Sequence, residues 1–414
     1  MAIKQGTAAS GRRSIERAVA ASRPGRRQGD LLAFAGRRFH RSCPATTMAT
    51  ANTLRRSLAA TALVLLLSTG HARAAEAPPP LPALGAELSG LTVSGISSGA
   101  FMAVQFHVAH AKLVGGAGVL AGGPYYCAEG SIWRALTHCM APSWWAALPS
   151  VEELRAKAEA LAGAGRIDPL DRLSDDRVWL FSGGKDSIVD TTVMERLAAF
   201  YGQWIVPTAI RFVKLTEAGH AMISVVAPAA KPCSSEQSPF INRCGDFDAA
   251  GEMLNHLLGR LRPAATTLSG EMLRFDQSAF VAGKAIDAGL ADAAYAFVPQ
   301  ACHSNACRVH VVFHGCRQST AQIGRRFVDG AGYNRWADSN RIIVLYPQVE
   351  PRYGLAIGSW RWLNNPFGCW DWWGYSGSDY ATQGGVQIKV VRAMLERLAA
   401  PRQPQADTAA ARQP

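Results

Sequence analysis

The sequence has 414 residues, enough for one large domain or two ordinary ones. Its net charge of +12 points towards an anionic partner. Yet of its 43 Lys/Arg and 31 Asp/Glu, 13 and 2 fall in residues 1–75, leaving 30 and 29 in the rest. The basicity belongs to the leader, so charge gives no support to nucleic-acid binding by the remainder.

The leader reads in two parts. Residues 1–47 are rich in Arg and Ser without a periodic pattern, and are expected to be an over-extended N-terminus or a disordered arm ahead of a start at Met48. Residues 48–74 carry Arg55-Arg56, the apolar run Leu58 to Leu67 and then Ala72-Arg73-Ala74. A charged start, a short apolar run and an A-x-A site predict a secretory signal peptide cut after Ala74. The apolar run is too short to span a bilayer. Residues 75–87, with Ala77-Pro78-Pro79-Pro80-Leu81-Pro82, predict an extended, loosely held tether.

Next comes Val93-Ser94-Gly95-Ile96-Ser97-Ser98-Gly99-Ala100, a G-x-S-x-G centred on Ser97. An apolar stretch precedes it and the helix-compatible Phe101 to Phe106 follows. That is the strand–turn–helix setting of a nucleophile elbow, where the helix start directs free N–H groups at the serine. Val114 to Ala121 reads as a buried strand ending in Gly122-Gly123-Pro124-Tyr125-Tyr126, and Val151 to Leu161 as a helix. Val178–Phe181, Ile210–Leu215, Val309–Phe313 and Ile342–Tyr346 read as strands, with a helix over Ser319–Ser339. Apolar strands alternating with helices predict one α/β domain over residues 88–400, its sheet largely parallel and covered on both faces. Residues 401–414 read as a disordered tail.

A serine nucleophile needs a base, and the base an orienting acid. The strand Val178–Phe181 runs into Ser182-Gly183-Gly184-Lys185-Asp186, and Ile210–Leu215 into Thr216-Glu217-Ala218-Gly219-His220. Ser97, Asp186 and His220 then stand in the chain order of α/β-hydrolases. Asp190 competes as a turn residue and Glu217 is the alternative acid; His107 and His110 are read as structural. The strand leading to His314-Gly315-Cys316 comes after the base, whereas an oxyanion loop ordinarily precedes the nucleophile. If Cys316 supplies one N–H and Ser98 the other, the fold is circularly permuted.

Setting aside Cys43, eight cysteines remain, an even number suited to an exported, disulfide-bonded chain. Proximity pairs Cys127 with Cys139, Cys233 with Cys244 and Cys302 with Cys307, leaving Cys316 and Cys369. A metal site at Cys302–Cys307 finds no second ligand pair of suitable spacing. The segment Ser359 to Tyr375 holds five of the eleven tryptophans among Gly, Asn, Pro and Asp, the composition of a surface or cleft loop.

These pieces together resemble the poly(3-hydroxybutyrate) depolymerases with a circularly permuted α/β-hydrolase domain. The resemblance covers most of residues 88–395. It rests on the elbow, on Ala121-Gly122-Gly123-Pro124-Tyr125-Tyr126-Cys127, on Phe313-His314-Gly315-Cys316 and on Gly368-Cys369-Trp370-Asp371-Trp372-Trp373-Gly374-Tyr375. It implies a Ser97–His220–Asp186 triad, Ser98 and Cys316 as oxyanion donors, and Trp373, Trp372 and Tyr125 at the substrate. It further implies a secreted, monomeric esterase acting on a polyester or its oligomers, with no cofactor, metal, membrane or nucleic-acid partner. Many extracellular members carry a linker and a polymer-binding domain; neither is found here, so amorphous polymer or oligomers are the expected substrates. A carboxylesterase acting on feruloyl or acetyl groups, and a non-catalytic polymer-binding protein, are the competing readings.

Overall fold

In the computed structural model the described residues are 77–228 and 230–402. The expected leader, signal peptide and most of the tail lie outside them. Four strands come first: β1 (Glu87–Ile96), β2 (Val114–Leu120), β3 (Arg177–Gly183) and β4 (Ile210–Leu215). The short β5 (Met222–Ile223), β6 (Lys231–Pro232) and β7 (Ile241–Arg243) make a separate three-stranded sheet. Then follow β8 (Glu271–Asp276), β9 (Ala293–Val298), β10 (Arg308–Phe313) and β11 (Ile342–Tyr346), and the hairpin β12 (Arg352–Gly354) and β13 (Leu363–Asn365).

The main sheet has eight strands in the order β4-β3-β2-β1-β10-β11-β9-β8. From β4 to β11 all neighbours are parallel; β9 runs antiparallel to both β11 and β8. The strand that leads to His314 thus lies beside the elbow strand although it follows it by some two hundred residues of chain. This is an α/β-hydrolase sheet whose first half in space is its second half in sequence. The circular permutation expected from the order of the motifs is present.

Alternate residues on each strand enter different cores. Val309, Val311 and Phe313 join one cluster while Val312 joins the other, and Leu180 is separated in the same way from Trp179 and Phe181. Helices Ser98–Ala109, Thr191–Tyr201 and Val386–Ala399 cover the first face, Ala249–Leu258 and Tyr333–Asn340 the second. The elbow helix is buried along all twelve residues, which is why its sequence shows no polar face. The glycines of β2 have a packing reason: a Cβ on Gly118 would stand 1.7 Å from Met253 Sδ on the opposing helix.

Two expectations need correction. The Pro-rich segment is extended but not loose: Leu81 and Leu84 are buried, Leu84 and Ala86 donate to the Leu398 carbonyl, and Asp276 donates to Pro79. Ser319–Ser339 is not one helix but three, Thr320–Ile323, Arg326–Gly330 and Tyr333–Asn340. The interruptions fall at Gly324 and Gly332, both in left-handed backbone. Among the described residues no helix is long and apolar enough to cross a membrane.

Candidate active site

The site lies beyond the C-terminal ends of the parallel strands, where such sheets place their ligands. Ser97 follows β1 directly, with φ 57° and ψ −126°, a conformation that is costly for a residue with a side chain. The turn is closed by near-contact of its glycines: a Cβ on Gly95 would stand 2.2 Å from the Gly99 carbonyl oxygen. One on Gly99 would stand 2.2 Å from that of Phe313. The elbow helix and the end of β10 therefore touch backbone to backbone.

His220 follows β4 and Asp186 follows β3. His220 Nδ1 lies 2.9 Å from Asp186 Oδ2, and both side chains are almost fully shielded from solvent. The other oxygen of Asp186 accepts the amides of Ile188 and Val189, each at 2.9 Å, which ties the carboxylate to its own turn. The two loops are joined through the Lys185 amide and the Ala218 carbonyl, an approach that a side chain at Gly183 would block. Glu217, the alternative acid, is exposed and forms no bond to His220. Asp190 caps the helix Thr191–Tyr201 through the Thr192 amide. His107 is buried between Asp176 and Tyr201, each at 2.9 Å, and belongs to the packing.

Ser97 and His220 open into a cleft of about 450 Å³. Gly315 and Cys316 form its wall beside the serine; a Cβ on Gly315 would lie 3.3 Å from Ser97 Cβ. The Arg317 amide is taken by Phe367 O and the Gln318 amide by Gly315 O. The Cys316 amide just before them has no protein acceptor among the described residues, and Ser98 opens a helix, where amides have none within the helix. His314 holds this loop from below: Nδ1 pairs with the Gly315 carbonyl at 2.7 Å and Nε2 with the Val349 amide at 3.3 Å. The second contact needs an unprotonated nitrogen, and burial, opposed by the Gly315 bond, lowers the His314 pKa to about 4.

Four disulfides form: Cys127–Cys139, Cys233–Cys244, Cys302–Cys307 and Cys316–Cys369. The last fastens the loop beside the serine to the aromatic segment. That segment is shaped by Asp371, which sequence reasoning gave no role. Its buried carboxylate accepts the amides of Trp373, Gly374, Tyr375 and Ser376 and the Ser376 hydroxyl. Burial nevertheless raises its pKa, against these bonds.

Trp373 and Trp372 line the cleft, the latter stacked on Phe101 with ring centres 3.9 Å apart. Tyr125 does not. It is fully buried and donates its hydroxyl to the Ala381 carbonyl, so its placement at the substrate is withdrawn. The remaining walls are largely apolar, with Ile132, Leu136, Met140, Ile188, Phe240 and Phe367. Among the described residues no group of three or more His, Cys, Asp or Glu side chains is arranged to hold a metal ion.

No family model matches the chain. It is 41% identical over 349 residues to the poly(3-hydroxybutyrate) depolymerase of Delftia acidovorans, covering 83% of this chain but 66% of that protein. It is 36% identical over 324 residues to the polyhydroxybutyrate depolymerase of Talaromyces funiculosus, covering 77% of this chain and 92% of that one. The chain belongs to the poly(3-hydroxybutyrate) depolymerase family. Two solved depolymerase structures agree with this assignment. One is from Penicillium funiculosum and the other is a Ser-to-Ala variant complexed with an R3HB trimer. Each has a TM-score of 0.70 at 34% identity and covers 78% of this chain and 100% of the other.

Sequence reasoning missed several polar residues of this depolymerase-family cleft, among them Arg317, Gln318, Asn364, Asn365 and Glu236. Glu236 reaches it from the Cys233–Cys244 loop. Its signal was weak, a carboxylate among exposed polar residues sixteen positions past His220, folded back by the disulfide together with the pairing of β5 and β7.

Proposed function

We propose that the chain is a secreted, monomeric serine esterase that cleaves poly(3-hydroxybutyrate) or its short oligomers. The observation that carries the reading is the strained Ser97 turn opening into the same apolar cleft as the bonded His220–Asp186 pair. In this reading the signal segment 48–74 is removed on export, consistent with four disulfides. No metal or organic cofactor takes part.

His220 removes the proton of Ser97 Oγ as the serine attacks the ester carbonyl. The tetrahedral oxyanion is held by the Ser98 and Cys316 amides, preorganised by the elbow helix and by the bonded His314 and Cys369. His220 returns the proton to the departing 3-hydroxyl, and water hydrolyses the acyl-enzyme by the reverse path. Asp186 orients the imidazole and stabilises its cation. Trp373, on the Asp371 turn, offers a flat face to the extended chain.

The test is clearing of an amorphous poly(3-hydroxybutyrate) suspension by residues 75–414, with Ser97→Ala beside it. Clearing by the parent alone is expected. Clearing by both would remove Ser97 from its role. Cleavage of short acyl esters without clearing would leave an esterase of other specificity.

A further inference from the structure

The loop closed by the Cys233–Cys244 disulfide accepts the Gly219 amide, next to His220, on its Cys233 carbonyl, and side-chain hydrogen bonds join it to the machinery at two further points. At one, Glu236 Oε1 accepts the amides of Ser187 at 2.7 Å and His220 at 3.2 Å, and Oε2 accepts the Ser187 hydroxyl. Ser187 is the residue after Asp186, so a single carboxylate ties the turn that carries the acid to the backbone of the base. At the other, the buried Gln318 side chain donates to the Pro239 and Phe240 carbonyls, each at 3.0 Å, and accepts the Gly315 amide at 2.8 Å. The loop is stiffened internally: Asn242 Nδ2 donates to the carbonyls of Cys233 at 2.9 Å and Ser235 at 2.7 Å.

We infer that this loop is a positioning brace that sets the His220–Asp186 pair and the Cys316 oxyanion loop in register, with Glu236 its positioning residue at the base. This rests on the esterase reading above. All three partners of Glu236 are hydrogen-bond donors rather than cations, so its work is geometric. A carboxamide can repeat it, since one oxygen takes both amides while the NH₂ group donates to the Ser187 hydroxyl. The brace therefore acts chiefly on kcat, because Glu236, although it also lines the cleft, commits both carboxylate oxygens to Ser187 and the His220 backbone.

The experiment compares the parent, Glu236→Ala, Glu236→Gln and Ser187→Ala on a soluble short acyl ester, with thermal melting and labelling by a serine-directed phosphonate. For Glu236→Ala, kcat and the labelling rate are expected to fall about 30-fold or more through displacement of the imidazole, with KM held within about twofold. Glu236→Gln is expected to recover to within about threefold of the parent, and Ser187→Ala to lose about threefold, the worth of one hydrogen bond. A folded Glu236→Ala with the parent's kcat overturns the inference, as does a change confined to KM. Equal losses in the Ala and Gln variants would also overturn it. Should Glu236→Ala fail to fold, Ser187→Ala decides, an unchanged kcat counting against the brace. A parent that neither hydrolyses esters nor takes up the phosphonate would instead fail the esterase reading, and the brace with it.

Discussion

Gly99→Ala tests whether the elbow works through backbone contact. The added Cβ would stand 2.2 Å from the Phe313 oxygen and 2.3 Å from the His314 oxygen, where real side-chain carbons stay beyond 3.0 Å. Both obstacles are main-chain atoms of the strand and loop that present Cys316, so no side chain can swing away. The helix or the loop must retreat by about 0.8 Å, the shortfall from 3.0 Å. Overpacking of this kind costs about 1–3 kcal/mol of stability. Its effect on rate is larger, because the oxyanion donors move away from Ser97, and a misplacement near 1 Å costs about 100-fold. Steady-state hydrolysis of a soluble short acyl ester gives kcat, and calorimetry on the same sample gives Tm. The expected outcome is a folded protein, its Tm lowered by a few degrees, with kcat down about 100-fold. A Gly99→Ala protein with the parent's kcat would refute the argument that the Phe313 contact sets the oxyanion geometry.

Asp186→Asn, which keeps the shape but cannot hold His220 in the same tautomer, is expected to lower kcat by about 10⁴-fold by the triad template. Activity within about tenfold of the parent would reassign the acid. Trp373→Ala is expected to raise KM for a 3-hydroxybutyrate trimer while leaving kcat on a short acyl ester nearly unchanged; equal KM for the trimer removes Trp373 from the binding face. Burial lowers His310 to about 3 and His110 and His314 to about 4, from 6.5. The unfolded chain therefore takes up these protons first as pH falls, so the histidines erode stability from about pH 6.5 downward and not above it. A calorimetric series should show Tm falling between pH 6.5 and 4.5, and a level profile would mean that these rings are not held neutral.

What could be read in the sequence were features local to it. The elbow is five consecutive residues, and Asp186 and His220 each follow a strand-like run and a glycine-containing turn, so their strands and order were visible. Cysteine pairing followed from proximity for three bridges and by elimination for the fourth. What escaped depends on partners distant in the chain. Strands β8 and β9 were not read from the sequence; β8 is an edge strand of mixed polar and apolar residues in which Phe275 alone is buried. Tyr125 stood in a recognisable motif, but only the position of Ala381 reveals that its hydroxyl points inward. Asp371 and Glu236 act by collecting amides, and a sequence does not show which amides will be brought to a carboxylate.

The permutation also bears on the order in which the molecule assembles. β1 pairs on one side with β2, which begins at Val114, and on the other with β10, which begins at Arg308. The four strands from β1 to β4 lie within Glu87–Leu215, so this half-sheet has its contacts early in synthesis. Until the second half arrives, the Leu91–Ile96 stretch, buried in the folded protein, is an open parallel edge, the kind of surface that invites pairing with another chain. Closing it requires joining segments about two hundred residues apart, the kind of contact that makes folding slow. A chain rejoined to begin at β8 would keep the same native contacts while changing when that edge is covered.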